Sequence, residues 1–518
     1  MDEAPDALQE AARTGMTLAH WAARFPDRAA VVSSHGDRTF AELNQRANQL
    51  ARALRRAGLE AGDGVALLCS NRAEFAEVMA ATNRSGFRLT PVNWHLTANE
   101  AGYIVDDCEA RAFVADARFG AIAREVAALA PTAQVRLAVG GDIDGFISYD
   151  DALDVEAGDD ITDPVLGSSM LYTSGTTGRP KGVYRREAPP TSAASLDLYG
   201  YRPGDDLHLC TGPLYHAAPL AFSLAAPLNA GVGVVVMDGW EPELMLRLVE
   251  DHRISHTHLV PVMFHRLLAL PDDVRAKYDV SSLRMVIHGA APCPVPVKHG
   301  VIEWFGPVLF EYYAATEGLG TFVDSTAWLE RPGTVGRPVA NMVVVRDDDG
   351  NPTTPGQVGT VFLKAPPVGR FEYFKAEEKT ASAYRDDYFT LGDMGYVDDD
   401  GWLFLTDRTA NLIISGGVNV YPAEIDAVLL THPAVGDAAT IGVPHPEWGE
   451  EVKAVIELKP GLEPSAELVS ELMALCREQL AGYKCPRSVD FVEHLPREDN
   501  GKIYKRKLRD QYREGTLH

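Results

Sequence analysis

Apolar residues recur along the N-terminal half of the chain with two periods, one helical and one extended. From Thr39 to Leu54, the residues Phe40, Leu43, Ala47, Leu50, Ala51 and Leu54 form one helical stripe. Thr39 and Glu42 have the spacing of a capping box, and Gly58 stops the run. VALLCS (Val65–Ser70) then reads as a strand, AEFAEVMAATNRSG (Ala73–Gly86) as a helix and ARAFVAD (Ala110–Asp116) as a strand. Such alternation predicts an α/β layer architecture. Near the other end, NLIISGGVNVYPAEIDAVLLTHP (Asn411–Pro433) predicts an apolar strand, a turn at Gly416–Gly417 and a helix with Pro422 in its first turn and Pro433 beyond its end. Two strands, a helix over Ser465–Leu480, a strand and a last helix complete a small α+β unit. The acidic runs Asp347–Asp349 and Asp398–Asp400 each lead into glycine and are read as hairpin turns, since neither has calcium-loop spacing.

Length adds the expectation of several domains, because 518 residues with 46% hydrophobic content exceed what one core usually supports. No apolar run reaches the roughly 18 to 20 residues of a membrane span, and MDEAPDALQE lacks the basic and apolar regions of a signal peptide. A cytoplasmic protein is expected. Six cysteines without CxxC spacing fit reduced thiols. The formal net charge of −25 opposes nonspecific nucleic-acid binding, so an anionic ligand requires a locally basic site.

LYTSGTTGRPKGV (Leu171–Val183) supplies one. Thr173, Ser174, Gly175, Thr176, Thr177 and Gly178 follow an apolar run and precede Arg179 and Lys181. Glycines let backbone approach oxyanions, hydroxyls donate, and lysine adds a point charge, which together suit a polyphosphate. The spacing is not that of a Walker loop, so no strand-to-helix cradle follows. PLYHAAPLAFSL (Pro213–Leu224) places Tyr215 and His216 before small and apolar residues, and His216 reads equally as a satisfied core histidine. His252, His256 and His258 lack the company of a metal motif and read as structural. Cys293, in GAAPCPVP (Gly289–Pro296), has no local support as a nucleophile. FEYYAATEG (Phe310–Gly318) offers Tyr312 and Tyr313 as an aromatic face, Thr316 as a hydroxyl and Glu317 as a hard oxygen ligand. YFTLGDMGYVDDDGWLFLTDR (Tyr388–Arg408) and LPREDNGKIYKRKLR (Leu495–Arg509) contribute Asp393, Arg408 and Lys502.

In this order, and over essentially the whole chain, these motifs resemble those of the adenylate-forming enzymes: acyl-CoA synthetases, adenylation domains of peptide synthetases, and luciferases. The resemblance implies a large multi-subdomain N-terminal adenylation domain of αβαβα layers plus a β-barrel-like part over residues 1–406, a hinge at 407–408 and a small mobile α+β domain over 409–518. It implies that Thr173–Gly178 and Lys181 grip the ATP phosphates, that Gly289, Ala290, Ala291, Tyr312 and Tyr313 hold adenine, and that Thr316 lies near phosphate. Glu317 would ligate Mg²⁺, Asp393 and Arg408 would hold the ribose, and Gly416 and Gly417 would flank the pantetheine arm of CoA. Lys502, Glu317 and His216 are the implied catalytic residues. The implied reaction is ATP-dependent ligation of a carboxylic acid, fatty or bulky and apolar, to CoA through an acyl-adenylate, by an enzyme that could assemble as a homodimer. Two alternatives stay open, an enzyme that loads a carrier protein and a non-catalytic nucleotide-binding relative. The chain departs from the family at Thr409, Ala410 and Asn411, where Lys-Asp commonly follows the hinge arginine, and at Ala315, where glycine or serine is frequent.

Overall fold

A computed structural model describes residues 5–173, 180–187, 197–408, 411–415, 418–445, 448–497 and 502–513. The helix expected near Thr39 runs Phe40–Arg56, and both halves of its capping box form. Glu42 N donates to Thr39 Oγ1 at 3.2 Å and Thr39 N donates to Glu42 Oε2 at 2.8 Å. The strand–helix–strand order that follows is Gly64–Leu68, Ala73–Arg84 and, after further elements, Ala110–Asp116.

Two sheets organise the large part. One is a six-stranded parallel sheet ordered Ile147–Ser148, Val135–Val139, Ala110–Asp116, Gly64–Leu68, Arg88–Pro91 and Ser168–Ser169. The other has eight strands, with Leu207–Cys210, Gly233–Val236, His256–Leu259, Met285–His288 and Leu309–Ala315 parallel at its centre and Gly318–Asp324 antiparallel at one edge. Phe40–Arg56 and Ala73–Arg84 fill the space between the sheets, where Leu43, Leu50 and Phe75 share a core with Val65, Leu67, Val31 and Val234. Helices Ala98–Asp107 and Gly120–Leu129 cover the outer face of the first sheet. Pro242–Asp251, Pro261–Leu268 and Val295–Phe305 cover that of the second. The layers therefore run helix, sheet, helix, sheet, helix. Strands covered on both sides need apolar residues at successive positions, which is why Gly64–Leu68 is buried throughout.

Two small antiparallel sheets form the barrel-like part. One holds Val343–Arg346, Gly359–Lys364, Tyr388–Val397 and Leu403–Arg408, and the other holds Leu171–Thr173, Lys181–Tyr184 and Glu372–Tyr373. Val183 joins Val345, Val361 and Phe389 in one core. Both acidic runs occupy turns, with Gly350 N donating to Asp347 O and Gly401 N to Asp398 O. From Ile413 onward a separate sheet, led by Val435–His445 and Gly449–Leu458, packs against Pro422–Leu429, Ala466–Gln479 and Lys505–Arg513. Among the described residues, its two cores draw only on those between Ile413 and Tyr512. Among the described residues, no helix is long and apolar enough to cross a membrane.

Candidate functional site

The strands on either side of residues 174–179 pair antiparallel, with Thr173 opposite Lys181 and Tyr172 opposite Gly182. A strand-to-strand hairpin thus stands where a Walker loop would lead into a helix. Ser174, Gly175, Thr176, Thr177, Gly178 and Arg179 lie outside the described residues. Close to the hairpin, Leu309–Ala315 turns into Gly318–Asp324 with Ala315 opposite Gly318, which makes Thr316 and Glu317 the tip of a two-residue hairpin. Gly318 is required there, since a Cβ would lie 2.6 Å from Phe389 Cζ. The two hairpins meet. Arg185 Nη2 donates to Thr316 O at 2.9 Å and to Glu317 O at 2.7 Å. Tyr373, paired opposite Val183, donates its hydroxyl to Glu317 Oε1 at 3.0 Å and places its ring centroid 4.9 Å from Lys181 Nζ. Burial and the nearby Lys379 lower the Lys181 pKa against the pull of Glu317. The Tyr373 phenol is pushed up by burial and then by Glu317.

Glu317 fits a magnesium ligand by its chemistry. It is a half-buried carboxylate at a hairpin tip, with one oxygen oriented by Tyr373 and no cation paired to it among the described residues. Mg²⁺ commonly takes one or two carboxylates and leaves its other positions to phosphate and water.

Gly289, Ala290 and Ala291 follow the strand Met285–His288. Gly289 lies against Tyr312, where a Cβ would come within 2.5 Å of the carbonyl oxygen. Ala290 holds φ at +68°, a conformation that a residue with a Cβ adopts at some cost and that often marks a functional loop. The two tyrosines divide their tasks. Successive residues of a strand face opposite sides, so they cannot present one shared aromatic face to a purine as the sequence suggests. Tyr313 donates to Asp393 Oδ2 at 2.7 Å, and Asp393 is the cross-strand partner of Arg408. Tyr312, only 4% exposed, is hydrogen-bonded to His258 Nε2 at 3.0 Å and packs on Phe222 with ring centroids 4.6 Å apart. Tyr312 therefore belongs with the Pro213–Leu224 segment.

That segment contains a π-helical turn over Pro219–Ala225, a wide geometry often found at functional sites. His216 is half-buried beside Tyr215, their rings 4.6 Å apart. The other histidines have separate partners. His256 contacts Ser255 Oγ and Tyr199 O, each at 2.8 Å, His258 contacts Tyr312, and His252 caps a helix. Burial pushes both strand imidazoles down to about 4, which keeps them neutral. Cys293 is held as a thiol by burial, which raises its pKa.

Lys502 follows residues 498–501, which lie outside the described residues, as do Gly416 and Gly417. Its position is fixed by a bridge between Arg497 and Ile503 and by Tyr504 N donating to Pro496 O at 2.7 Å. The base of this loop faces the large part of the chain. Burial and the charge of Arg266 lower the Arg497 pKa to about 10, while burial and the charges of Lys459 and Arg497 lower that of His265. His265 and Arg266 lie on Pro261–Leu268, the helix that follows the histidine strand. Arg185 and Tyr373 are not singled out by the sequence, and His258 reads there only as structural, because each acquires its partner through a contact distant along the chain.

Comparison with known proteins places this geometry. The AMP-binding enzyme family profile matches residues 18–371, and that of the AMP-binding enzyme C-terminal domain matches residues 424–502. The chain is 33% identical over 502 residues to the fatty acid–[acyl-carrier-protein] ligase ScoC of Streptomyces coeruleorubidus, covering 94% of each chain. It is 33% identical over 495 residues to the 2-succinylbenzoate–CoA ligase of Geobacillus kaustophilus, covering 93% of this chain and 95% of that one. Among solved structures, the anthranilate CoA ligase AuaEII in complex with anthranoyl-AMP superimposes with a TM-score of 0.86 at 25% identity, over 98% of each chain.

Proposed function

The chain belongs to the AMP-binding enzyme family, and on that premise we propose that it joins a carboxylic acid to the thiol of CoA through an acyl-adenylate. In the first step a carboxylate oxygen attacks the α-phosphorus of ATP, the bond to the β-phosphate breaks, and pyrophosphate leaves. In the second the thiol sulfur attacks the acyl carbon, its proton is released, and AMP departs with the bridging oxygen. The first step needs little covalent help from protein. It needs alignment and compensation of charge as it develops.

We assign these tasks to the residues of the sequence motifs. Lys181 and the segment Thr173–Gly178 bind the departing phosphates, and Lys502 adds positive charge from the other lobe. Glu317 would hold Mg²⁺, which when bound neutralises phosphate charge. Asp393, oriented by Tyr313, accepts from the ribose hydroxyls with Arg408 beside it. Gly289–Ala291 receive adenine. The acid lies along Pro213–Leu224, where His216 is placed and Phe222, His258 and Tyr312 form an aromatic wall suited to a bulky apolar group. Rotation about residues 407–408 would withdraw Lys502 and bring Gly416–Gly417 to the site for CoA, a hinge motion of established type. Six free cysteines suit the cytoplasm, the compartment that we propose.

The observation that carries this reading is the meeting of the lysine hairpin with the Thr316–Glu317 tip through Arg185 and Tyr373. The test is a panel of fatty and arylcarboxylic acids assayed for ATP-dependent AMP release, with CoA and with a phosphopantetheinylated carrier protein. At least one acid is expected to give AMP with CoA. Turnover with the carrier protein alone would reject CoA as acceptor, and no AMP from any acid would reject the ligase reading.

A further inference from the structure

Two side chains to which the reaction scheme assigns no task bind the lysine hairpin to the Thr316–Glu317 tip. Arg185, the first residue past the strand Lys181–Tyr184, donates through Nη2 to the backbone carbonyls of both tip residues, at 2.9 and 2.7 Å. Tyr373, on the neighbouring strand, donates to Glu317 Oε1 at 3.0 Å while its ring lies under Lys181 Nζ. Tyr373 is itself held in place. Its backbone N–H donates to Thr380 Oγ1 at 2.9 Å, and that hydroxyl donates to Ala376 O at 3.0 Å.

The chemistry of each contact is specific. A glutamate on a two-residue turn has several staggered rotamers open to it, and a single phenol hydrogen bond selects among them. Carbonyl oxygens at a hairpin tip have no ladder partner, so a guanidinium that takes two of them fixes the peptide planes carrying Glu317. Arg185 is also unlike its neighbour. Arg186 pairs with Glu372 at the surface at 3.1 Å, whereas Arg185 is spent on backbone oxygens and has no carboxylate salt bridge among the described residues. Its charge therefore remains available to an anion beside the phosphate hairpin.

We propose that Arg185 and Tyr373 are positioning residues that hold Glu317 toward a divalent cation carried by a nucleoside triphosphate and tie it to Lys181. The proposal rests on the adenylation reading above. With the clamp in place, the metal-binding carboxylate and the phosphate-binding ammonium keep one mutual geometry before nucleotide arrives. Partners that orient a metal-binding carboxylate typically govern affinity by about 10–100-fold when removed.

The test uses the full chain and Mn²⁺ as a paramagnetic substitute for Mg²⁺, with free Mn²⁺ followed by electron paramagnetic resonance during titration with ATP and no acid present. Tyr373→Phe and Arg185→Gln are each expected to weaken Mn·ATP binding by about 10-fold or more. Arg185→Lys should recover part of the loss, and Arg186→Gln should bind as wild type does. In steady-state assays the KM for MgATP should rise while the KM for the acid stays unchanged, a split that general loosening of the fold would not produce. Folded variants that bind Mn·ATP like the wild type, or that raise both KM values alike, overturn the clamp. Tyr373→Phe removes a single oxygen atom and decides the matter alone should Arg185→Gln not fold. A wild-type chain that fails to bind Mn·ATP rejects the nucleotide reading itself and the clamp with it.

Discussion

Lys502→Ala is expected to slow acid-dependent pyrophosphate release by about 10²–10³-fold, the usual effect of removing one charged stabiliser of a transition state. Thioester formation from supplied acyl-adenylate should stay near the wild-type rate. The split follows from where the residue sits. Lys502 is next to the Arg497–Ile503 bridge, burial and the charge of Arg266 lower the Arg497 pKa, and Arg497 is among the charges that lower that of His265. This arrangement turns the base of the Lys502 loop toward the large part of the chain, as adenylation requires. Pyrophosphate departs only in that first half-reaction, and the proposed rotation about residues 407–408 withdraws the lysine before AMP becomes the leaving group. Quenched-flow measurement of each half-reaction checks the prediction, and equal losses in both would remove the assigned role.

The second large effect concerns stability. Lys298 and Glu311 form an ion pair at 2.5 Å with side chains 1% and 8% exposed, and Lys298 Nζ also lies 4.5 Å from the centre of the Trp328 ring. Glu311 immediately precedes Tyr312 and Tyr313 on the strand Leu309–Ala315, which leads into the Thr316–Glu317 tip. Burial already raises the Glu311 pKa against the opposing pull of Lys298. Lys298→Met would leave that carboxylate without a counter-ion, at a cost of about 3–5 kcal/mol. Adding Glu311→Gln should restore much of the loss, because no buried charge then remains. Urea unfolding of the single and double variants tests this. A single variant costing under about 1 kcal/mol, the worth of a surface pair, would contradict it, as would a double variant no more stable than the single.

These two residues show where sequence reading stops. Periodicity and short-range cap and turn signals predict the helix over Thr39–Leu54 with its capping box, the strands Val65–Ser70 and Ala110–Asp116 and the two acidic turns, because each depends on residues within a few positions of one another. The structure forms the first three at Phe40–Arg56, Gly64–Leu68 and Ala110–Asp116 and closes both turns. The motifs at Leu171–Val183 and Phe310–Gly318 were legible as chemistry for the same reason. Lys298 and Glu311 are separated by 13 positions, Tyr373 and Glu317 by 56, and Arg185 and Glu317 by 132. No local spacing announces such pairs. The tyrosine pair illustrates a different failure. Reading Tyr312 and Tyr313 as one aromatic face attended to composition and passed over the two-residue period of the strand, which sends one ring toward His258 and the other toward Asp393. Ala290 at positive φ was likewise hidden, since a Gly-Ala-Ala run suggests glycine as the residue in that conformation.

The central claim, that the acid is activated by transfer to the α-phosphorus, is tested most directly with a carboxylate labelled by ¹⁸O in both oxygens, once the acid panel has supplied a substrate. The carboxylate oxygen that attacks phosphorus stays with AMP when sulfur displaces it, so mass spectrometry should find one ¹⁸O in AMP and none in pyrophosphate. Label appearing in pyrophosphate or in inorganic phosphate, with AMP unlabelled, would contradict the account.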